Sequence, residues 1–203
     1  MGITLFIPLL EHCEAADSND KHGIVTATIC SDSSLTNRHL KNVFITSEIQ
    51  ALHTTHRNFF RGGSITASKL LCDRLLIGIG VEYSYSPVHL DNGFRLTQVK
   101  FLPLFADARL FITNPKKRLC SFIEAAAGNS FANYDKQDPR HKTSYWVTEE
   151  GLYVYSGGGF VFKINDNLAL PFSVGFKGFH ISRNQLEINP HGIDYRIGCT
   201  IKF

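Results

Sequence analysis

From residue 43 onward, apolar and polar residues alternate with a period of two along most of the chain. The pattern is plainest in Leu75–Ser86. Leu75, Ile77, Ile79, Val81, Tyr83 and Tyr85 fall on one face, and Leu76, Gly78, Gly80, Glu82, Ser84 and Ser86 on the other. Successive side chains of an extended backbone point to opposite sides, so this alternation predicts a β-strand. Such a run is about twice the usual strand length of roughly 5–6 residues. It matches the roughly 9–11 residues that a tilted strand needs to cross a bilayer, and its apolar face ends in two tyrosines.

The same alternation predicts further strands. In Leu102–Ile112 the face Leu102, Leu104, Ala106, Ala108, Leu110, Ile112 opposes Phe105, Asp107 and Arg109. In Leu168–Phe176, Leu168, Leu170, Phe172, Val174 and Phe176 oppose Ala169, Pro171, Ser173 and Gly175, followed by Lys177. The last segment sets Ile193, Tyr195, Ile197, Cys199, Ile201 and Phe203 against Asp194, Arg196, Gly198, Thr200 and Lys202. Leu119–Asn133, Leu152–Ile164, Val43–Ala51 and Phe59–Ala67 carry noisier versions. No helix is predicted after residue 42.

The links between these segments alternate in length. Leu70–Arg74, Asn114–Arg118 and Asn165–Asn167 are short and rich in turn formers. Pro87–Lys100, Tyr134–Glu150 and Ser182–His191 are long and rich in Asp, Asn, His and Pro, whereas the first link, His53–Asn58, is of moderate length. All the long links fall on one side of the strand array. Outer-membrane barrels have this asymmetry, with short periplasmic turns and long external loops. The pattern therefore predicts an all-β fold: an eight-stranded antiparallel up-and-down transmembrane barrel over 43–203. Residues 1–42 form a separate segment. They open with a short apolar run, Ile3–Leu10, before the small residues Ala15 and Ala16, so they read as a leader, a periplasmic arm or a further strand.

Composition narrows the choice. Hydrophobic residues are 43% and charged residues 19%, which excludes a disordered chain. No run approaches about 18 apolar residues, so a membrane-spanning helix is not predicted. A net charge of +3, with no basic stripe interleaved with aromatics, argues against nucleic acid as a partner. The five cysteines are scattered without a paired spacing, which argues against a zinc site or a disulfide framework.

Alternation alone fits either a soluble lipocalin-like carrier, apolar inside, or a membrane barrel, apolar outside. The polar face decides for the membrane barrel. It carries Gly78, Gly80, Gly128, Gly157, Gly159, Gly175 and Gly198, which would weaken a water-facing strand but relieve crowding in a narrow lumen. It also carries near-balanced charge: Glu48, Glu82, Asp107, Glu124 and Asp194 against Arg109, Lys163, Lys177, Arg196 and Lys202. A matched set is what a sealed polar interior requires.

The closing run Tyr195-x-Ile197-x-Cys199-x-Ile201-x-Phe203 resembles the C-terminal strand signal read by the barrel-insertion machinery of Gram-negative bacteria. Phe101–Arg109 and Ala125–Gly128 resemble the outer-membrane β-barrel domain proteins of Bacteroidetes, small barrels laid out like the OmpA and OmpX types. The resemblance covers roughly residues 43–203. It implies an outer-membrane location, contact with outer-membrane lipid and lipopolysaccharide, insertion machinery as a partner during biogenesis, and a porin-like cell-envelope protein. Its motifs are compositional rather than catalytic.

Three constellations could carry chemistry. His53 and His56 could join His89 or His141 around a metal, but loop histidines are usually solvated, so no metal or other cofactor is expected. His180 with Ser182 could form a His-activated hydroxyl for lipid A modification, though no acidic residue is identifiable to orient the histidine. Asp107/Arg109 and Asp194/Arg196 could line an ion path, or pair as a structural core in a lumen filled by its own side chains. Trp146, Tyr145, Tyr153, Phe131, Tyr83 and Tyr85 are placed near the outer rim as lipid-interface anchors. The functional expectation is a non-enzymatic envelope protein acting through its external loops. A lipid A-modifying enzyme and a soluble carrier of apolar ligands are the alternatives.

Overall fold

A computed structural model describes residues 43–55, 58–91, 94–137, 144–181 and 190–203. They form eight strands: β1 (Val43–Thr54), β2 (Phe59–Leu70), β3 (Leu75–Asp91), β4 (Phe94–Phe111), β5 (Leu119–Gln137), β6 (Ser144–Lys163), β7 (Leu168–His180) and β8 (His191–Lys202). Each strand pairs antiparallel with the next, and β1 pairs with β8 from Phe44↔Lys202 to Thr54↔Gly192, closing the barrel. The lipocalin-like and membrane readings share this closed topology, so which face points outward decides between them.

The outward face is apolar. Ile49, Ile79 and Ile197 are 68%, 72% and 53% exposed, whereas Glu48, Glu82 and Arg196 on the alternate positions are 5%, 1% and 2% exposed. Leu104, Phe160, Phe172 and Phe176 continue the exposed belt around the wall. A water-soluble barrel would bury these residues and expose the charges. This arrangement is a transmembrane barrel, whose solvent for the outer face is hydrocarbon. The soluble-carrier reading is thereby set aside.

The short turns form as their sequences predict. Asn114 Oδ1 accepts the Lys116 N–H at 2.9 Å, and Asn165 Oδ1 accepts the N–H groups of Asn167 and Leu168 at 2.9 and 2.7 Å. These side chains mimic the backbone of a turn and tighten the β4–β5 and β6–β7 connections.

The other end differs from the sequence expectation. Pro87–Lys100 and Tyr134–Glu150, expected as loops, are largely strand: β3 runs on to Asp91, β4 begins at Phe94, β5 reaches Gln137 and β6 begins at Ser144. Beyond the apolar belt neither face meets lipid, so the hydrophobic alternation stops. The backbone groups still pair, and the ladder continues without a side-chain signature. The β4–β5 register shifts between Thr97 and Lys100, where Gln98 takes φ 54°, a bulge that interrupts the regular ladder.

Two glycines show why the inner face carries so many. A Cβ at Gly80 would lie 2.6 Å from Phe105 Cζ, and one at Gly175 would lie 2.7 Å from the Tyr155 ring. Each lets an aromatic ring cross the lumen at its level.

If the outer face lies in lipid, Ile79→Arg should destabilise the barrel by about 2–4 kcal/mol near mid-membrane. Denaturant titration of protein folded into lipid vesicles would measure this. An unchanged midpoint would mean that Ile79 does not face hydrocarbon.

Candidate functional site

The inward positions build three levels along the barrel axis. The middle level is ionic. Arg109 on β4 donates from Nε and Nη2 to Glu124 Oε2 on β5 at 3.1 and 2.8 Å, and from Nη2 to Glu48 on β1 at 3.3 Å. Arg196 on β8 donates to Asp194 at 2.7 Å and to Glu124 at 3.4 Å. Lys177 on β7 reaches Glu82 at 3.0 Å, Asp194 at 3.1 Å and the Gln50 carbonyl oxygen at 2.9 Å.

Neutral groups complete this level. Ser84 Oγ donates to Glu82 at 2.7 Å, and the Tyr153 hydroxyl donates to Glu82 and accepts from Arg196, each at 3.0 Å. The Arg196 guanidinium lies 3.5 Å from the centre of the Tyr155 ring, and Arg109 lies 4.5 Å from that of Phe122. The aromatic faces thus serve the cations where no carboxylate can reach.

Toward the long hairpins the lumen is closed by rings. Phe101 stacks on Phe179 at 4.4 Å, Phe60 tilts against Phe101 at 5.5 Å, and Phe105 packs on Tyr153 at 5.2 Å. Leu52, Leu96, Val99, Tyr134 and Ile181 complete this core.

Toward the short turns the lumen opens into a vestibule of about 690 Å³ that reaches inward to Arg109. Lys163 and Lys202 stand here, half-buried, rather than in the ionic level. The buried charge is therefore not the matched set that sequence predicts. Among the described residues Glu48, Glu82, Asp107, Glu124, Glu149 and Asp194 are buried against only Arg109, Lys177 and Arg196 as buried cations, and one Asp107 oxygen is buried without a hydrogen-bond partner. Face parity fixes which way a side chain points but not its depth along the axis.

The candidate residues distribute as follows. The Asp107/Arg109 and Asp194/Arg196 pairs lie inside. Arg109, Asp194 and Arg196 join one network through Glu124, with Asp107 in the same interior. Asp194 and Lys177 are completely buried, so these side chains fill the cross-section. His53 and His180 are exposed at the long-hairpin end. His56, His141 and Ser182, and the side chain of His89, lie outside the described residues. Among the described residues no cluster of metal-ligating side chains occurs.

Of the rim aromatics, Tyr83, Phe131 and Trp146 are exposed and Tyr85 is half-buried, while the Tyr145 side chain is not among those described. Tyr153 is a correction: it is completely buried in the ionic network. Its parity places it with Gly157 and Gly159, so it points into the lumen however close to the rim it lies. Parity already places Gln50, Ser84 and Tyr155 on the inner face, but their contacts with Lys177, Glu82 and Arg196 carry no sequence signal, because an uncharged side chain does not announce a partner on a distant strand.

No family model matches the chain, and no curated protein matches it in sequence. Its fold is similar to solved structures. Neisserial surface protein A aligns at 15% identity and a TM-score of 0.52, covering 79% of this chain and 96% of the other. A major outer membrane protein from Thermus thermophilus aligns at 13% identity and a TM-score of 0.52, covering 79% and 99%. At such identities the likeness is one of fold. The chain shares the closed eight-stranded barrel of the outer-membrane type.

Lys177 bridges two carboxylates at full burial. Lys177→Met should leave Glu82 without its nearest cation and Asp194 with Arg196 alone, and lower stability by about 3–5 kcal/mol. Urea titration in detergent would measure this. A loss below about 1 kcal/mol would show that the network relaxes around the gap and that Lys177 does not hold it together.

Proposed function

We propose that this protein is a non-catalytic integral protein of the outer membrane that presents its extended hairpins to the cell exterior. The observation that carries this reading is the inverted distribution of polarity: an apolar outer belt around a lumen filled by paired charges and stacked rings. An inverted barrel belongs in a bilayer, and beyond the short-turn vestibule the lumen is filled by paired charges and rings, which leaves no continuous water column for conduction. The working surface is then what rises above the belt, the ends of β3–β4 and β5–β6 with their connections.

The partners follow from this placement. Outer-membrane lipid and lipopolysaccharide contact the belt, with Tyr83 and Trp146 at the lipid–water boundary. The barrel-insertion machinery meets the chain during biogenesis. The hairpins contact an envelope or external surface.

Two measurements test the reading. Protein refolded into detergent should migrate differently in SDS before and after boiling, because a closed barrel ladder resists SDS when cold. Reconstituted in planar bilayers, it should give no discrete conductance steps. Regular steps would establish an ion path past Arg109 and Arg196 and overturn the filled-lumen reading.

The enzyme alternative has its own test. Mass spectra of lipid A from cells with and without the protein should coincide. A mass change on expression that His180→Ala abolishes would make the protein an enzyme.

A further inference from the structure

We propose that the vestibule at the short-turn end is a binding site for a small anionic amphiphile: a carboxylate or sulfonate on an aromatic or short aliphatic body. The cavity, about 690 Å³, falls within the roughly 300–1,000 Å³ typical of small-molecule sites. Its wall is partly apolar. Leu76, Val161, Phe44, Leu70 and Phe111 supply its apolar part, and on their own strands Leu76 and Val161 adjoin inward positions held by Gly78 and Gly80 on β3 and by Gly157 and Gly159 on β6. The lumen thus changes character here from paired ions to a greasy sleeve.

Four cations surround the mouth: Arg74 from the β2–β3 turn, Lys116 from the β4–β5 turn, Lys163 at the end of β6 and Lys202 at the end of β8. Against them the lining sets only Asp73 and Asp166 among the described residues. Among the described residues none of these four side chains forms a salt bridge, and Lys202 lies 5.9 Å above the Phe44 ring. Like charges gathered at the rim of a low-dielectric cavity repel one another and raise the local concentration of anions.

The roof fixes the orientation of a ligand. Arg109 is the only cation there among the described residues, and Glu124 and Glu48 already occupy its guanidinium. An anionic group entering head-first would meet those carboxylates. The stable placement is the reverse, with the apolar body against Leu76 and Val161 and the anionic group at the mouth among the lysines. Entry is from the short-turn side, because the ionic level and the stacked rings close the lumen beyond Arg109.

The test uses the full chain, isotope-labelled and folded in detergent micelles, titrated with 2-naphthoate and with neutral 2-naphthamide. Naphthoate should give saturable amide shifts at Lys163, Ala169 and Thr200, and naphthamide should bind about tenfold more weakly or worse, the scale of a lost charge-assisted contact. Lys163→Gln/Lys202→Gln should reduce naphthoate affinity about tenfold with SDS mobility unchanged. Val161→Trp should abolish binding by filling the sleeve with every mouth cation left in place.

Equal shifts from the two probes would overturn the proposal in favour of apolar partition. Shifts confined to belt residues such as Ile79 would mean that only the micelle is sensed. The same shifts from inorganic phosphate would reduce the site to a rim that attracts any anion. Saturable, charge-dependent shifts that both sets of substitutions diminish would establish it.

Discussion

A backbone group facing hydrocarbon has no water to pair with, and an unpaired N–H or C=O there costs several kcal/mol. Closure of β1 on β8 is therefore the condition on which the rest of the barrel stands. An open sheet would expose two ladders of unpaired groups to lipid. Once the ladder is closed, every strand has one face in lipid and one in the lumen, and the period of two assigns each residue to one or the other. Ile49, Ile79, Leu104, Phe160 and Phe172 go outward because the outer solvent is apolar. The charges go inward because no other place can hold them.

The lumen then has to satisfy those charges without bulk water. It does so by joining strands that the ladder does not join. Glu48, Glu82, Arg109, Glu124, Lys177 and the Asp194/Arg196 pair come from β1, β3, β4, β5, β7 and β8, and Tyr153 adds β6. Neighbouring strands are held by hydrogen bonds along the wall, and opposite strands by ion pairs across the axis. Buried ion pairs contribute little net stability over an apolar packing of the same shape, because desolvation offsets their attraction. Their clearer effect is on register. A slip of one residue would turn Glu48, Arg109 or Arg196 into lipid and an isoleucine into the network. Charge on the inner face makes the correct pairing of strands far more favourable than its neighbours.

The three levels of the lumen divide the molecule by chemistry. Stacked rings close the long-hairpin end, paired ions fill the middle, and an apolar sleeve with a cationic mouth opens at the short-turn end. Long hairpins rise from the closed end, where β3 to β6 extend beyond the apolar belt. At the open end Arg74, Lys116, Lys163 and Lys202 stand around a wall that is partly apolar.

Sequence alone determined the strand count, the antiparallel meander and the direction of nearly every side chain. All of these follow from one local property, the period of two set against residue polarity, and Leu75–Ser86 or Ile193–Phe203 displays it without reference to any other segment. Where polarity stops alternating, the sequence falls silent, and so β3 to β6 run further than their hydrophobic patterns imply. Depth along the axis was equally hidden. Lys163 and Lys177 share an inward parity, yet one stands in the open vestibule and the other at full burial between Glu82 and Asp194. Only the tertiary structure decided that difference, together with the place of Tyr153 in the ionic network and the convergence of three turns and two strand ends on one mouth. Each depends on the stagger between strands distant in sequence, and stagger is set by closure of the whole barrel rather than by any strand within it.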